Sequence, residues 1–388
     1  MRLPLPKSLA QTARAPAEGR AISVVAETGT APHAPQGPPQ GRGGGERRED
    51  GPRAPRTTLR GVVALVVLLL LVAVVALASL AWGARDVAPG QVWRALVDPV
   101  AGDNDHLVVR DLRVPRTLIG LAAGAALGAA GALMQGVTRN PIADPGLLGI
   151  NAGASLAVVA AIAGLGVAST AAYLPFAFGG AAVAALVVYG AASLGWEGVT
   201  PVKLALVGAA FTATATSVIT VVLLTDRRTL DEYRFWQVGS LANRPLDVLT
   251  TVLPFVLVGL ALALAAGRVL NALALGDDVA RGLGQDVTRG RLLVVTAVVL
   301  LCGSAVSLVG PIAFVGLVVP HVARAVVGPD YRWIVVLSTV LGPVVLLLAD
   351  VVGRLVARPG EVEAGLVVAV IGAPVLVALV RRSQAVAA

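Results

Sequence analysis

From Gly61 onward the chain is built of long apolar blocks free of charge. Each block that crosses a bilayer as a helix needs about 20 residues. Gly61–Trp82 meets that length, Thr117–Thr138 meets it again, and Pro145–Gly195 is long enough for two crossings. A helix satisfies its own backbone polar groups, which lipid cannot do. Charged residues make up 14% of the chain, against about 25% in soluble domains. The expected class is an all-α membrane protein.

The 31 Lys+Arg outnumber the 23 Asp+Glu, but the excess does not point to nucleic acid. Lys7 and Lys203 are the only lysines, and many arginines sit at block ends or in the N-terminal segment. Interfacial anchoring and positive-inside charge account for most of them. Cys302 is the single cysteine, and His33, His106 and His321 lie far apart in sequence. These offer no disulfide and no metal cluster, and no cofactor is expected. No Gly-x-x-x-x-Gly-Lys-[Ser/Thr] occurs, so the chain lacks a phosphate cradle of that kind. It is expected not to be an enzyme by itself.

Residues 1–59 differ from the rest. They hold 9 Pro and 8 Gly with arginine-rich patches, a composition that builds no core and reads as a disordered tail. It contains no apolar stretch of a signal peptide. Residues 60–388 form the membrane domain. Ten spans are expected, at 61–83, 117–137, 147–168, 172–195, 204–225, 246–267, 292–309, 312–327, 333–353 and 364–380. An even number returns both termini to one side. With the tail on the inside, 20 Lys+Arg fall inside and 11 outside, so both termini are expected in the cytoplasm. Gly120, Gly124 and Gly128, followed by Gly131, mark one helical face, and Gly149 and Gly153 repeat the spacing. Such faces let a neighbouring backbone approach closely.

The spans are nearly free of ionisable groups: none lies between Arg291 and His321, between Pro145 and Gly195, or between Ala364 and Val380. Ion-coupled carriers keep such groups in the membrane to bind the ion. Their absence argues against a proton- or sodium-driven secondary transporter and leaves a permease driven from outside the bilayer, or a passive or structural protein such as a channel or an anchor.

Three segments carry more than packing. In Arg139–Gly149, Asp144 before Pro145 is a good helix start. In Leu270–Gly284, Gly276 separates two short helical stretches. Asp277 or Asp278 is placed to cap the second and Gly284 to end it. A short rigid pair projecting from the membrane suits contact with a soluble partner. In Gly310–Arg324, two prolines and two glycines in an apolar span imply a broken helix.

These segments resemble the signatures of the FecCD family of ABC-importer permeases, which serve ferric siderophores, cobalamin and haem. The resemblance covers about residues 61–383 and extends to Leu112–Thr117, Phe235–Leu241 and Gly372–Pro374. It implies a type II importer bundle of ten helices in a bacterial cytoplasmic membrane. It implies as partners a second permease subunit, two ATP-hydrolysing subunits, a substrate-binding lipoprotein and the surrounding lipid, with iron siderophore as the first choice of cargo and cobalamin and haem as the alternatives. Arg113, Arg116 and Arg354 match positions that pair with acidic residues of the binding protein, and such pairs steer docking. Leu275, Gly276, Asp277, Asp278, Ala280, Arg281, Gly282, Leu283 and Gly284 match the coupling helices that enter the ATPase. Asn140, Pro141 and Ile142 match one part of the cytoplasmic gate. Pro201 and Val202 stand where relatives carry a hydroxyl-rich gate pair, and Glu363 stands where relatives often carry proline.

Overall fold

The computed structural model describes residues 55–167, 169–194 and 199–387, and every regular element among them is helical. The α-helices are α1 (Pro55–Ala81), α2 (Pro89–Val97), α3 (Asn104–Leu107), α4 (Val114–Thr138), α5 (Ile150–Leu165), α6 (Thr170–Ser193) and α7 (Pro201–Thr225). They continue with α8 (Arg227–Gln237), α9 (Leu246–Ala274), α10 (Asp277–Gly282), α11 (Val287–Val309), α12 (Val315–Val327), α13 (Tyr331–Val356) and α14 (Ala364–Ala387). A π-helical stretch, Val108–Arg113, joins α3 to α4, and a 3-10 turn, Pro145–Leu148, precedes α5. Among the described residues, 7 helices are long and apolar enough to cross a membrane. Three shorter apolar helices, α5, α12 and the apolar part of α14, complete the ten expected crossings.

α1 begins at Pro55, so the helix starts four residues before the boundary expected at residue 59. Residues 1–54 of the expected tail lie outside the described residues. Successive crossings alternate in direction. α1 starts at what we call the near end, where α4, α6 and α9 finish. The far end carries α2, α3, α8 and the starts of α4, α6, α9, α12 and α14. Hydrogen bonds hold each end together. At the near end, Arg139 donates to the Leu273 carbonyl at 2.6 Å, and Asn271 donates to Asp330 at 2.7 Å.

α4 occupies the centre of the bundle. Most residues from Pro115 to Val137 are buried, whereas among its described residues α1 buries only Gly61, Val75 and Ser79. The glycine face explains the placement. A Cβ on Gly128 would stand 2.1 Å from the Ser338 carbonyl oxygen of α13. One on Gly131 would stand 2.0 Å from the Gly316 oxygen of α12. Only hydrogen fits at these contacts, so α4 seats α12 and α13 directly on its backbone. α1 does the reverse, exposing Val63, Val67, Leu70 and Val74. On a water-facing surface that patch would be a liability. In lipid it is matched to its solvent.

Two crossings are shorter than expected. α12 has 13 residues, or about 20 Å at 1.5 Å per residue, less than the ~30 Å hydrocarbon core. The missing depth is supplied by irregular chain. Gly310–Phe314 runs without helix, and Phe314 has a φ of 68° before α12 begins at Val315. The expected Pro/Gly break is thus present. The third span, expected from residue 147, begins instead at Ile150, after the 3-10 turn. Pro145 reaches Gly316, since a Cβ on Gly316 would lie 2.9 Å from the Pro145 Cδ. Non-helical backbone at such depth is tolerated because protein surrounds it.

Candidate functional site

At the far end the three expected arginines are all buried within the chain. Arg113 is 4% exposed, Arg116 7% and Arg354 2%. Arg113 donates to the carbonyls of Leu80, Ala81 and Arg85 at 2.8, 2.7 and 2.5 Å. It thereby fixes the chain leaving α1. Arg116 grips Asp350 through Nε at 2.9 Å and a terminal nitrogen at 2.7 Å, and it reaches Glu361 at 2.6 Å. Arg354, one helical turn beyond Asp350, pairs with it at 2.9 Å. Arg354 also donates to the carbonyls of Ser79 and Trp82 at 3.0 Å each and to the Ser79 hydroxyl at 2.9 Å. The guanidinium groups therefore tie α1, α4, α13 and the chain before α14 to one another. Most of their donors bond within the chain, while the Arg354 Nε is buried without a partner.

Asp350 is the residue the sequence reading passed over. It is 0% exposed within α13. A lone carboxylate in a membrane span normally marks an ion path, but here two arginines neutralise it. Its spacing of four from Arg354 was the available signal.

At the near end, α9 runs unbroken to Ala274, so the first of the two expected short stretches is the last turn of a long helix. Gly276 turns the chain with a φ of 110°, and α10 follows. Neither Asp277 nor Asp278 caps α10. Asp277 instead binds Arg139 and Arg291, the latter at 2.8 Å, while Arg291 also donates to the Val199 carbonyl at 2.8 Å. Asp278 pairs with Arg281 on the surface at 3.0 Å. Asp277 thus locks α10 to the loop after α4 and to α11. Ala280 is buried beneath it, while Leu275, Val279 and Leu283 are 61%, 51% and 62% exposed. Their spacing of four puts them on one face. Gly284 ends the segment with a φ of 78°. Close by, the Arg332 guanidinium holds Asp330 below the usual carboxylate range, with Asn271 adding a second bond.

Asn140 forms a tight turn, its side chain accepting from the Ile142 amide at 3.1 Å. Pro141 and Ile142 are exposed there. At the start of α7, Pro201 sits in the first turn, Thr200 caps the helix through the Lys203 amide at 3.3 Å, and Val202 is 67% exposed. Both candidate gate segments lie at the near end. α7 itself carries a feature the sequence reading missed. Thr214, Thr216, Ser217 and Thr220 are all exposed, in a helix whose best window is only 17% buried. Thr214, Ser217 and Thr220 bond back to carbonyls four residues earlier. The hydroxyl spacing of three and four was legible and sets α7 apart from the wholly apolar outer face of α1.

Among the described residues no group of His, Cys, Asp and Glu is placed to hold a metal ion. His106 serves the far-end loops, accepting from the Val100 amide at 2.9 Å.

A bundle of apolar helices of this number and length is a multi-pass membrane protein. The chain belongs to the FecCD transport family, whose model matches residues 69–382. It is 46% identical over 304 residues to the ferric enterobactin transport system permease protein of Escherichia coli K12, covering 78% of this chain and 90% of that protein. It is 42% identical over 305 residues to a probable siderophore transport system permease of Bacillus subtilis 168, covering 79% and 91%. An Fe(3+)-citrate import system permease of Bacillus subtilis 168 is 40% identical over 283 residues, covering 73% and 84%. Among solved structures, one assigned to the metal-chelate type of ABC transporter, in an inward-facing conformation, matches with a TM-score of 0.71 at 26% identity. It covers 82% of this chain and 98% of that one. The fold is thus that of a type II importer permease, and the chain is a non-catalytic, multi-pass membrane subunit.

Proposed function

We propose that the chain forms the translocation pathway of an ATP-driven importer of iron(III) siderophore complexes. Two such chains, or this chain and a homologous one, enclose the pathway. A substrate-binding lipoprotein delivers cargo at the far end, and ATP-hydrolysing subunits seat against the near end. Both termini then face the cytoplasm. The cargo follows from the iron-chelate systems named for the relatives.

The observation that carries this reading is α10. An exposed apolar face of Leu275, Val279 and Leu283, held rigid by Asp277 on two neighbours, suits a cleft in a soluble partner better than it suits water. ATP binding would shift the bundle between two states by contacting α10 differently in each. The hydroxyl face of α7 would line the pathway between the two chains. Asn140–Ile142 and Pro201–Val202 would close it on the cytoplasmic side. Arg113, Arg116 and Arg354 would serve docking by shaping the far-end loops rather than by contact.

The test is reconstitution in liposomes with the ATPase and the binding protein. Val279→Asp with Leu283→Asp is expected to abolish chelate-stimulated ATP hydrolysis while leaving the melting temperature of the purified chain unchanged. Stimulation that survives both substitutions would sink the coupling role. Uptake that collapses with a protonophore while ATP stays high would favour a secondary transporter.

A further inference from the structure

At the far end, a cavity of about 460 Å³ lies among the start of α6, α8, the chain before α9 and the chain before α14. Its wall includes Tyr173, Phe235, Trp236, Ser240, Arg244 and Glu363. None of these serves the coupling, gating or arginine network described above.

The charges around it do not all close on one another. Glu232 accepts from Tyr173 at 3.2 Å and from Arg228 at 3.3 Å. Asp231 pairs with Arg234 at 3.2 Å. Arg244 is different. It is 7% exposed, its Nε is buried without a hydrogen-bond partner, and among the described residues its guanidinium makes no hydrogen bond or ion pair. Glu363 is close enough to favour the charged guanidinium, yet its own Oε2 is also buried and unpartnered. Burial pushes Arg244 down to about 10, so it stays charged at neutral pH. A buried guanidinium left unpaired is costly. A buried donor and a buried acceptor, both open, ask for a group that offers the complement of each. The guanidinium fork matches a carboxylate. Glu363, acceptor only when ionised, requires a donor beside that carboxylate. The Phe235 and Trp236 rings leave an apolar wall for a carbon skeleton.

We propose that this cavity binds a hydroxycarboxylate group, its carboxylate held by Arg244 and its hydroxyl donating to Glu363. Resting on the importer reading, the group is a part of the incoming ligand that the iron(III) leaves uncoordinated, and the cavity is a receiving site at the outer mouth of the pathway. Glu363 becomes the residue that selects for a donor.

The experiment uses the full chain in nanodiscs and calorimetric titration with citrate and with tricarballylate, which keeps the three carboxylates and lacks the hydroxyl. Citrate is expected to bind, and more tightly than tricarballylate. Arg244→Gln is expected to weaken both by roughly tenfold or more, as for the loss of a charge-assisted hydrogen bond. Glu363→Gln is expected to erase most of the preference for citrate, and it keeps the test sharp should Arg244→Gln fail to fold. The exposed Arg227→Gln is expected to change neither. Absence of citrate binding to the unsubstituted chain, or binding indifferent to Arg244→Gln, would overturn the proposal. So would an unaltered citrate preference in Glu363→Gln.

Two further arms separate the sources of the carboxylate and the two readings. If Arg244→Gln abolishes docking of the binding protein and citrate never binds, the carboxylate is a protein side chain and the proposal falls. If the assembled importer moves iron chelate normally while citrate does not bind, the cavity proposal falls and the permease reading stands.

Discussion

Asp350 shows how a charge inside a membrane span is made tolerable. Arg116 and Arg354 bring it two opposite charges within 2.7 and 2.9 Å, and Glu361 takes the remaining arm of Arg116. Removing one partner leaves the other charge buried and uncompensated, at a cost of about 3–5 kcal/mol. Asp350→Asn and Arg116→Ala are each expected to lower the melting temperature of the detergent-purified chain sharply. The triple replacement Arg116→Met, Asp350→Leu and Arg354→Met is expected to recover part of the loss, because it removes the three buried charges together. A melting temperature unmoved by the single changes would mean the network contributes nothing. At the near end Asp330 offers a pH handle. Its carboxyl is depressed in the folded chain, so its contribution is present above the unfolded value of about 3.9 and fades as pH falls through the folded one. Asp330→Asn is therefore expected to flatten the loss of stability on acidification below about pH 4, read from melting curves across that range. The arginines themselves were visible in the sequence. Asp350 was legible as the partner of Arg354 by its spacing of four, but not as the partner of Arg116, which lies 234 positions away.

Elements were legible where a pattern is local. The Gly120–Gly131 face marked α4 as a helix that others approach, and its neighbours proved to be α12 and α13. Gly128→Ala would put a methyl group 2.1 Å from a backbone oxygen of α13. Backbone cannot step aside as a side chain does, and overpacking of this kind costs about 1–3 kcal/mol. The same change at Gly282, where a Cβ meets nothing, is expected to be silent, and parallel melts of the two variants test the contrast. The break before α12 was also legible, since Pro and Gly interrupt helices by local chemistry. The shortening of α5 was not. Asp144 and Pro145 were legible as a helix start, but what they start is a 3-10 turn that Gly149 ends with a φ of 69°, and Pro145 packs against Gly316 there. Likewise the sequence offered Asp277 as a cap. Its actual partners, Arg139 and Arg291, come from other elements, and ion pairing with them won over capping. Asp277→Asn is expected to loosen α10 and reduce chelate-stimulated ATP hydrolysis severalfold without unfolding the bundle.

At the scale of the whole molecule, composition decided the class and an exposed helix face bears on assembly. α1 and α7 are both largely uncovered, with best windows 11% and 17% buried, yet they differ in kind. α1 shows lipid-compatible Val and Leu, whereas α7 shows Thr214, Ser217 and Thr220 among its exposed residues. A hydroxyl bonded back to its own helix survives in lipid, so the stripe alone is compatible with either environment. Accessibility to water separates them. The single native thiol, Cys302, is 1% exposed, so introduced cysteines can be read against a quiet background. In the assembled importer, Ser217→Cys is expected to react with a membrane-impermeant maleimide. Leu70→Cys on α1 is expected to resist it, and the Ser217→Cys reaction is expected to slow when the binding protein is docked. Equal labelling of the two positions would place no pathway along α7. Labelling of neither would turn its hydroxyl face toward lipid and move the pathway to another side of the bundle.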